Sequence, residues 1–339
     1  MATTRISDLI VPEIYEPYLA DEITRKLNII QSGTVTRDAK LDSLLNGGGS
    51  SFNQPFFDNL VDAQESIATD NPADVITPNK NTASNLIVHR CVRTQAWEVA
   101  DLDEMLTAKD PMGFIASRVA DYRLGRLQEQ FLSVVKGIFA NNATDTDTYH
   151  TQDDQRWDIS GASYSAGVTD FSVGALIDAI SLMGDAQDDL GMIMVHPRVF
   201  ANMQKQDIVD TRIPSGASAP VRYYNGYQII LNNNMPVDQT GKIFSTYIFG
   251  ANQFKLGFGQ VKDPVDAEKH QAQGNGYGVT TMYTRWCNAI APKGYSFVGT
   301  PASVGGPSNT EFATAGSWQR VVGDVRSVKM VELVTRESA

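Results

Sequence analysis

Cysteine is almost missing from this sequence: Cys91 and Cys287 are the only two in 339 residues. At most one internal bridge is available, so no disulfide framework holds the chain, and two buried thiols are expected. Neither cysteine has another close by, and His89, His150, His196 and His270 show no H-x-x-x-H spacing. The usual zinc patterns are therefore excluded. Positive charge is scarce too. Lys and Arg total 28 against 39 Asp and Glu, a net charge of −11, whereas a domain that grips nucleic acid carries a basic excess or a basic face. No apolar run approaches the roughly 20 residues that span a bilayer. The opening MATTRISDLIVPEIYEP lacks the uninterrupted apolar core of a secretory signal, so neither membrane insertion nor export is expected.

Motifs of catalysis are lacking as well. The glycines Gly47, Gly48 and Gly49 stand in NGGGSSFNQPFF, but no lysine follows to meet a phosphate, and Pro55 interrupts any helix opening there. They are expected to form a hinge, because glycine tolerates varied backbone angles. No G-x-S-x-G elbow supports His196 as a general base, and a histidine that opens a helix is expected to be structural. The loop ATDTDTYHTQDD offers Asp145, Asp147, His150, Asp153 and Asp154 as hard-cation ligands. It has neither the glycine turn nor the distal glutamate of a calcium loop, so a solvated loop is expected. No catalytic, cofactor-binding or metal-binding residue is assigned.

What is present is an order of parts. With 42% hydrophobic and 20% charged residues, the chain has the composition of a folded protein and the length of two or three domains. Residues 1–46 read as an arm, with scattered apolar residues and no long helical repeat. From Phe52 to Val99 two extended stretches flank a polar, proline-containing excursion, which predicts a long hairpin. The returning stretch, Leu86 to Val99, is rich in β-branched residues and has no cleanly polar face. Two strands cannot cover such a surface themselves, so Leu86, Val88, Cys91, Val92 and Trp97 are expected to pack against a neighbouring subunit.

Asp110-Pro111 is a helix start, a capping acid followed by proline at the first position. Ala116, Ala120, Leu124, Leu127, Phe131, Val134 and Ile138 then form one stripe at spacings of three and four. A helix ending near Ile138 is predicted, long enough to act as a spine. Beyond it the pattern becomes compact α/β. Ser172 caps a helix through Met183, Met192–Val195 reads as a buried strand, and HPRVFANMQKQ as a second short helix. Tyr227–Leu231, Phe244–Phe249, Phe254–Phe258 and Gly278–Val298 read as strands, and Val325–Val334 as a strand at a sheet edge.

This order, together with ISDLIVPEIYEPY, LLNGGGSSFNQPFF, DPMGFIASRVADYRLGRLQEQFLSVVKGIFA, MIMVHPRVFANMQKQ, YNGYQIILNNNMP and ATAGSWQRVV, resembles the major capsid proteins of tailed bacteriophages. The resemblance implies an α+β chain with the Hong Kong 97-like fold. Its parts would be an N-terminal arm (1–46), an extended loop (47–105), a peripheral domain with the spine helix (106–169), an axial domain (170–262), peripheral return strands (263–300) and a C-terminal extension (301–339). It further implies a non-enzymatic protein without cofactor that assembles with itself into hexamers and pentamers of an icosahedral head around double-stranded DNA. The DNA would be enclosed without sequence-specific binding. A separate scaffolding protein, a portal, head-completion proteins and a decoration protein would be its partners, with no membrane. The finished protein would reside in the virion after assembly in the host cytoplasm. Lys80 lies where some relatives crosslink, but no motif selects a partner asparagine. A cellular compartment shell of the same fold and an unrecognised hydrolase are the alternative readings.

Overall fold

The computed structural model describes residues 33–57, 65–71, 73–78, 83–102, 111–144, 151–206, 209–212 and 221–338. In chain order the first elements are β1 (Val35–Arg37), α1 (Ala39–Asn46), β2 (Ser51–Phe57), β3 (Ala83–His89), β4 (Cys91–Ala100), α2 (Pro111–Thr144) and β5 (Arg156–Asp158). Then follow α3 (Val173–Ser181), β6 (Leu190–Val195), α4 (Pro197–Lys205), β7 (Val209–Arg212), β8 (Val221–Tyr224), β9 (Tyr227–Leu231), β10 (Val237–Asp238) and β11 (Ile243–Gly250). The last are β12 (Phe254–Gly259), β13 (Val265–His270), β14 (Val279–Pro292), β15 (Tyr295–Phe297), α5 (Asn309–Phe312), β16 (Trp318–Arg320) and β17 (Met330–Arg336).

The peripheral sheet is built on β14. One edge of β14 pairs with β4, and the other pairs with β12 and then β13, while β1 runs parallel to β12. Alternation along β14 sends Ile290 to one face and Ala289 and Ala291 to the other. On the Ile290 face lies α2, 34 residues and about 51 Å long. On the alanine face lies α1, whose Leu41 and Leu45 are buried. Asp38 caps α1 by accepting from the Lys40 N–H at 2.9 Å. Asp42 and Asn46 fasten the helix to β12 by accepting from the Phe258 and Gln260 N–H groups, each at 2.7 Å.

The axial sheet has the order β5-β17-β11-β6-β9-β8-β7, with β10 beside β11. Ile193, Val195, Ile248, Val331 and Leu333 face α3 and α4. Met192, Met194, Tyr247, Phe249 and Met330 face the other way and share one core with the C-terminal half of α2. The α2 stripe is therefore wider than one row: Leu132, Val135 and Phe139 are buried besides Val134 and Ile138. The extra cover comes from the C-terminal segment, where Asn141 donates to the Trp318 carbonyl at 3.0 Å.

Several expectations change here. The spine runs past Ile138 to Thr144. Met330–Arg336 lies inside the axial sheet, between β5 and β11, instead of at an edge. Residues 301–339 are therefore no appended extension, because a strand buried between two partners is part of the core. The axial limit of 262 also moves, since β12 already belongs to the peripheral sheet. Residues 1–32 of the arm lie outside the described residues, and its end, β1 and α1, is built into the peripheral domain.

Candidate assembly interface

The hairpin is real but shorter in its return. β2 and β3 pair from Ser51↔His89 to Phe57↔Ala83, after which the ladder breaks at Arg90 and β4 crosses to β14. Phe52, Leu86 and Val88 are buried in one cluster with Leu41, Leu45 and Cys287. The Ile87 N–H donates to Ser296 Oγ at 2.9 Å, and the His89 ring stands edge-on to Phe297 with centroids 5.0 Å apart. Burial holds His89 below the usual histidine range, so its ring is neutral at pH 7.

This corrects the expected role of Leu86, Val88 and Cys91 and the expected position of Val92 and Trp97. Leu86, Val88 and Cys91 need no neighbouring subunit, because α1, β14 and α2 of the same chain already cover them. Cys91, Val92 and Trp97 are not in the hairpin at all but in β4. Trp97 packs edge-to-face on Tyr122 of the spine, with centroids 5.3 Å apart. Of the five, Val92 alone is exposed.

Exposed apolar surface lies further out. Residues 65–71 and 73–78 are exposed throughout, and they carry Ile67, Val75 and Ile76 at 87%, 85% and 71% exposure. The segment is not shapeless. Thr69 Oγ1 donates to Asp74 Oδ2 at 2.8 Å, Asn71 Nδ2 donates to Asp74 Oδ1 at 3.2 Å, and the Ala73 N–H donates to Asn71 Oδ1 at 3.1 Å. Short polar side chains thus fold a turn that presents aliphatic groups to the outside. Lys80 falls outside the described residues.

Gly47, Gly48 and Gly49 join α1 to β2. Gly47 ends the helix, its N–H donating to the Leu44 carbonyl at 3.1 Å. Gly49 is the member that needs to be glycine, with φ at +114°. The residue that spans this joint, Arg90, was not expected from the sequence. Nothing in the local pattern marks it, because alternation keeps one phase through it: Leu86 and Val88 face the α1 core and Cys91 the α2 core.

The remaining candidates are structural. His196 Nδ1 accepts from the Arg198 N–H at 3.1 Å and caps α4, with Pro197 in its first turn. Asp154 holds the buried Arg320 at 2.6 Å. Asp145, Asp147 and His150 lie outside the described residues, and among the described residues no three metal-ligating side chains come together.

No family model matches the sequence. The chain is 29% identical over 344 residues to the major capsid protein of Bacillus phage SPP1, and the match covers all of both chains. Its fold matches the capsid of Ralstonia phage GP4 with a TM-score of 0.54 at 10% identity over 91% of each chain. It matches the cyanophage Pam1 capsid with a TM-score of 0.52 at 12% identity over 87% of each chain. The spine, peripheral sheet, axial sheet and hairpin are together the Hong Kong 97-like fold of tailed-phage capsid proteins, and the sequence is similar over its full length to one phage major capsid protein.

Proposed function

We propose that this chain is the major capsid protein of a tailed bacteriophage, a structural protein that assembles with itself into the icosahedral head around double-stranded DNA. The observation that carries the reading is the end-to-end similarity to a phage major capsid protein on a chain with the capsid fold. Hexamers and pentamers are its capsomers, and the virion is its final location after assembly in the host cytoplasm. A separate scaffolding protein, a portal, head-completion proteins and a decoration protein are its partners. The net charge of −11 suits a wall beside DNA that must move during packaging.

The hairpin's outer end is the subunit contact. Ile67, Val75 and Ile76 are uncovered within the chain, and burying each against a neighbour contributes roughly 1.5–3 kcal/mol. Changing all three to serine leaves the fold intact, since surface substitutions shift stability by about 0.5 kcal/mol or less. The variant is expected to keep the wild-type circular dichroism and lose closed shells in sedimentation. A folded triple variant that still builds normal particles would remove this contact from the account.

A further inference from the structure

Arg90 joins three parts of the chain that the sequence leaves separate. Its Nη2 donates to the Leu45 carbonyl at 2.5 Å and to the Gly47 carbonyl, both at the C-terminal end of α1. A cation there also meets the negative end of the helix dipole. The guanidinium carbon lies 5.4 Å from the centroid of the Phe52 ring in β2. The Arg90 N–H donates to the Ser50 carbonyl at 2.9 Å, closing the hairpin ladder at its root.

The opposite side of the same residue is strapped by the C-terminal segment. The Val92 N–H donates to the Gly305 carbonyl at 2.8 Å, and Arg93 donates to the Pro307 carbonyl. Gly306, at φ +100°, approaches so closely that a Cβ there would stand 2.0 Å from the Arg90 carbonyl oxygen. Meanwhile α1 is itself fastened to β12 through Asp42 and Asn46.

We infer that Arg90 is the positioning residue of the hairpin: it bridges the three-glycine joint, so the root of the hairpin is one body with the peripheral domain. The hairpin then changes course only beyond the Gln54–Leu86 pair, the last with a buried member among the described side chains, and not at Gly47–Gly49. Its outer part, from Pro55 and Asn85 onward, is where described side chains lie exposed. That this course matters for fitting subunits into one shell rests on the proposed capsid function. That Arg90 fixes the root does not.

Hydrogen exchange on the unassembled full chain separates the two claims. Arg90→Gln is expected to speed exchange at residues 50–53 and 87–90 at least about tenfold, leaving β6 and β11 unchanged. Arg90→Lys should lie between, because an ammonium reaches the two carbonyls but has no planar group to lay on the Phe52 ring. Gly48→Ala should match wild type, since its Cβ meets nothing within 4 Å and its φ is not in the left-handed region. Particles of Arg90→Gln should show a broadened distribution of diameters, and those of Gly48→Ala a wild-type one. Wild-type exchange at the root in Arg90→Gln would overturn the inference. So would a rise that spreads equally to β6 and β11 in both Arg90 variants, or broadened particles in Gly48→Ala alone. If no chain assembles even beside its scaffolding protein, the capsid reading fails and the exchange result still decides the role of Arg90.

Discussion

Cys91 and Cys287 lie on adjacent strands but on opposite faces of the peripheral sheet. The register pairs Cys91 with Asn288 and Cys287 with Val92, and directly paired residues share a face while successive ones alternate. Cys91 accordingly belongs to the α2 core and Cys287 to the α1 core. Two thiols separated by the thickness of a sheet cannot bridge without dismantling it.

The chain should therefore run as a monomer on non-reducing gels of dissociated particles. Burial pushes the Cys91 thiol up to about 12, so almost none is thiolate at pH 8. A thiol reagent is expected to label neither cysteine quickly in the folded subunit and both after unfolding. A fast-reacting thiol in the native protein, or fewer than two after unfolding without reductant, would contradict this.

Two glycines of the spine should respond in opposite directions. A Cβ on Gly137 would stand 1.9 Å from the Phe312 carbonyl oxygen and 2.6 Å from Trp318 Nε1, whereas one on Gly125 would meet nothing within 4 Å. Gly137→Ala is expected to cost about 2–4 kcal/mol, because backbone must move to relieve the clash. Gly125→Ala should gain up to about 1 kcal/mol from helix propensity. Denaturant unfolding of the unassembled subunits measures both.

Asp38 gives a pH-dependent test. The Lys255 ammonium, 2.8 Å away, and the Lys40 N–H hold its carboxyl below the usual aspartate range against the opposing effect of burial. A depressed folded value means stability present above the unfolded value near 3.8 and lost as pH falls through the folded one. Asp38→Asn keeps the cap and loses the charge. It should cost no more than about 1 kcal/mol at pH 7, as Lys255 is partly exposed, and nothing once the pH is low enough to protonate the folded protein. A penalty independent of pH would contradict the ion pair.

Duplex DNA should bind unassembled subunits weakly and only at low salt, given the acidic excess. Submicromolar binding at physiological salt in a filter or anisotropy assay would count against an inert inner wall.

The parts legible in the sequence were those fixed by neighbours in the chain. Ser172 caps α3 by accepting from the Ala175 N–H, and Pro197 opens α4, so both helices start where local chemistry puts them. Tyr227–Leu231 begins and ends as expected. What escaped was decided by distant partners. Whether Met330–Arg336 sits at an edge depends on Arg156–Asp158 pairing with it from far upstream. The cover over Leu86 and Val88 comes from α1, a short helix that residues 1–46 did not announce. The apolar character of the returning stretch was real, but the burial of Leu86, Val88 and Cys91 is internal, and among the described residues between β2 and β3 Ile67, Val75 and Ile76 are the large aliphatic groups left uncovered. Arg90 carried no local signal, since the side chains on either side of it keep the same alternation and its partners lie at the end of α1.

The most direct test is electron microscopy of material pelleted from cells that express the full chain together with its phage's scaffolding protein. The capsid reading predicts closed icosahedral shells built of hexamers and pentamers, with the 34-residue spine helix resolved in each subunit. A chain that stays folded yet sediments as a monomer at every concentration, with no shell, tube or curved sheet on the grid, would contradict it.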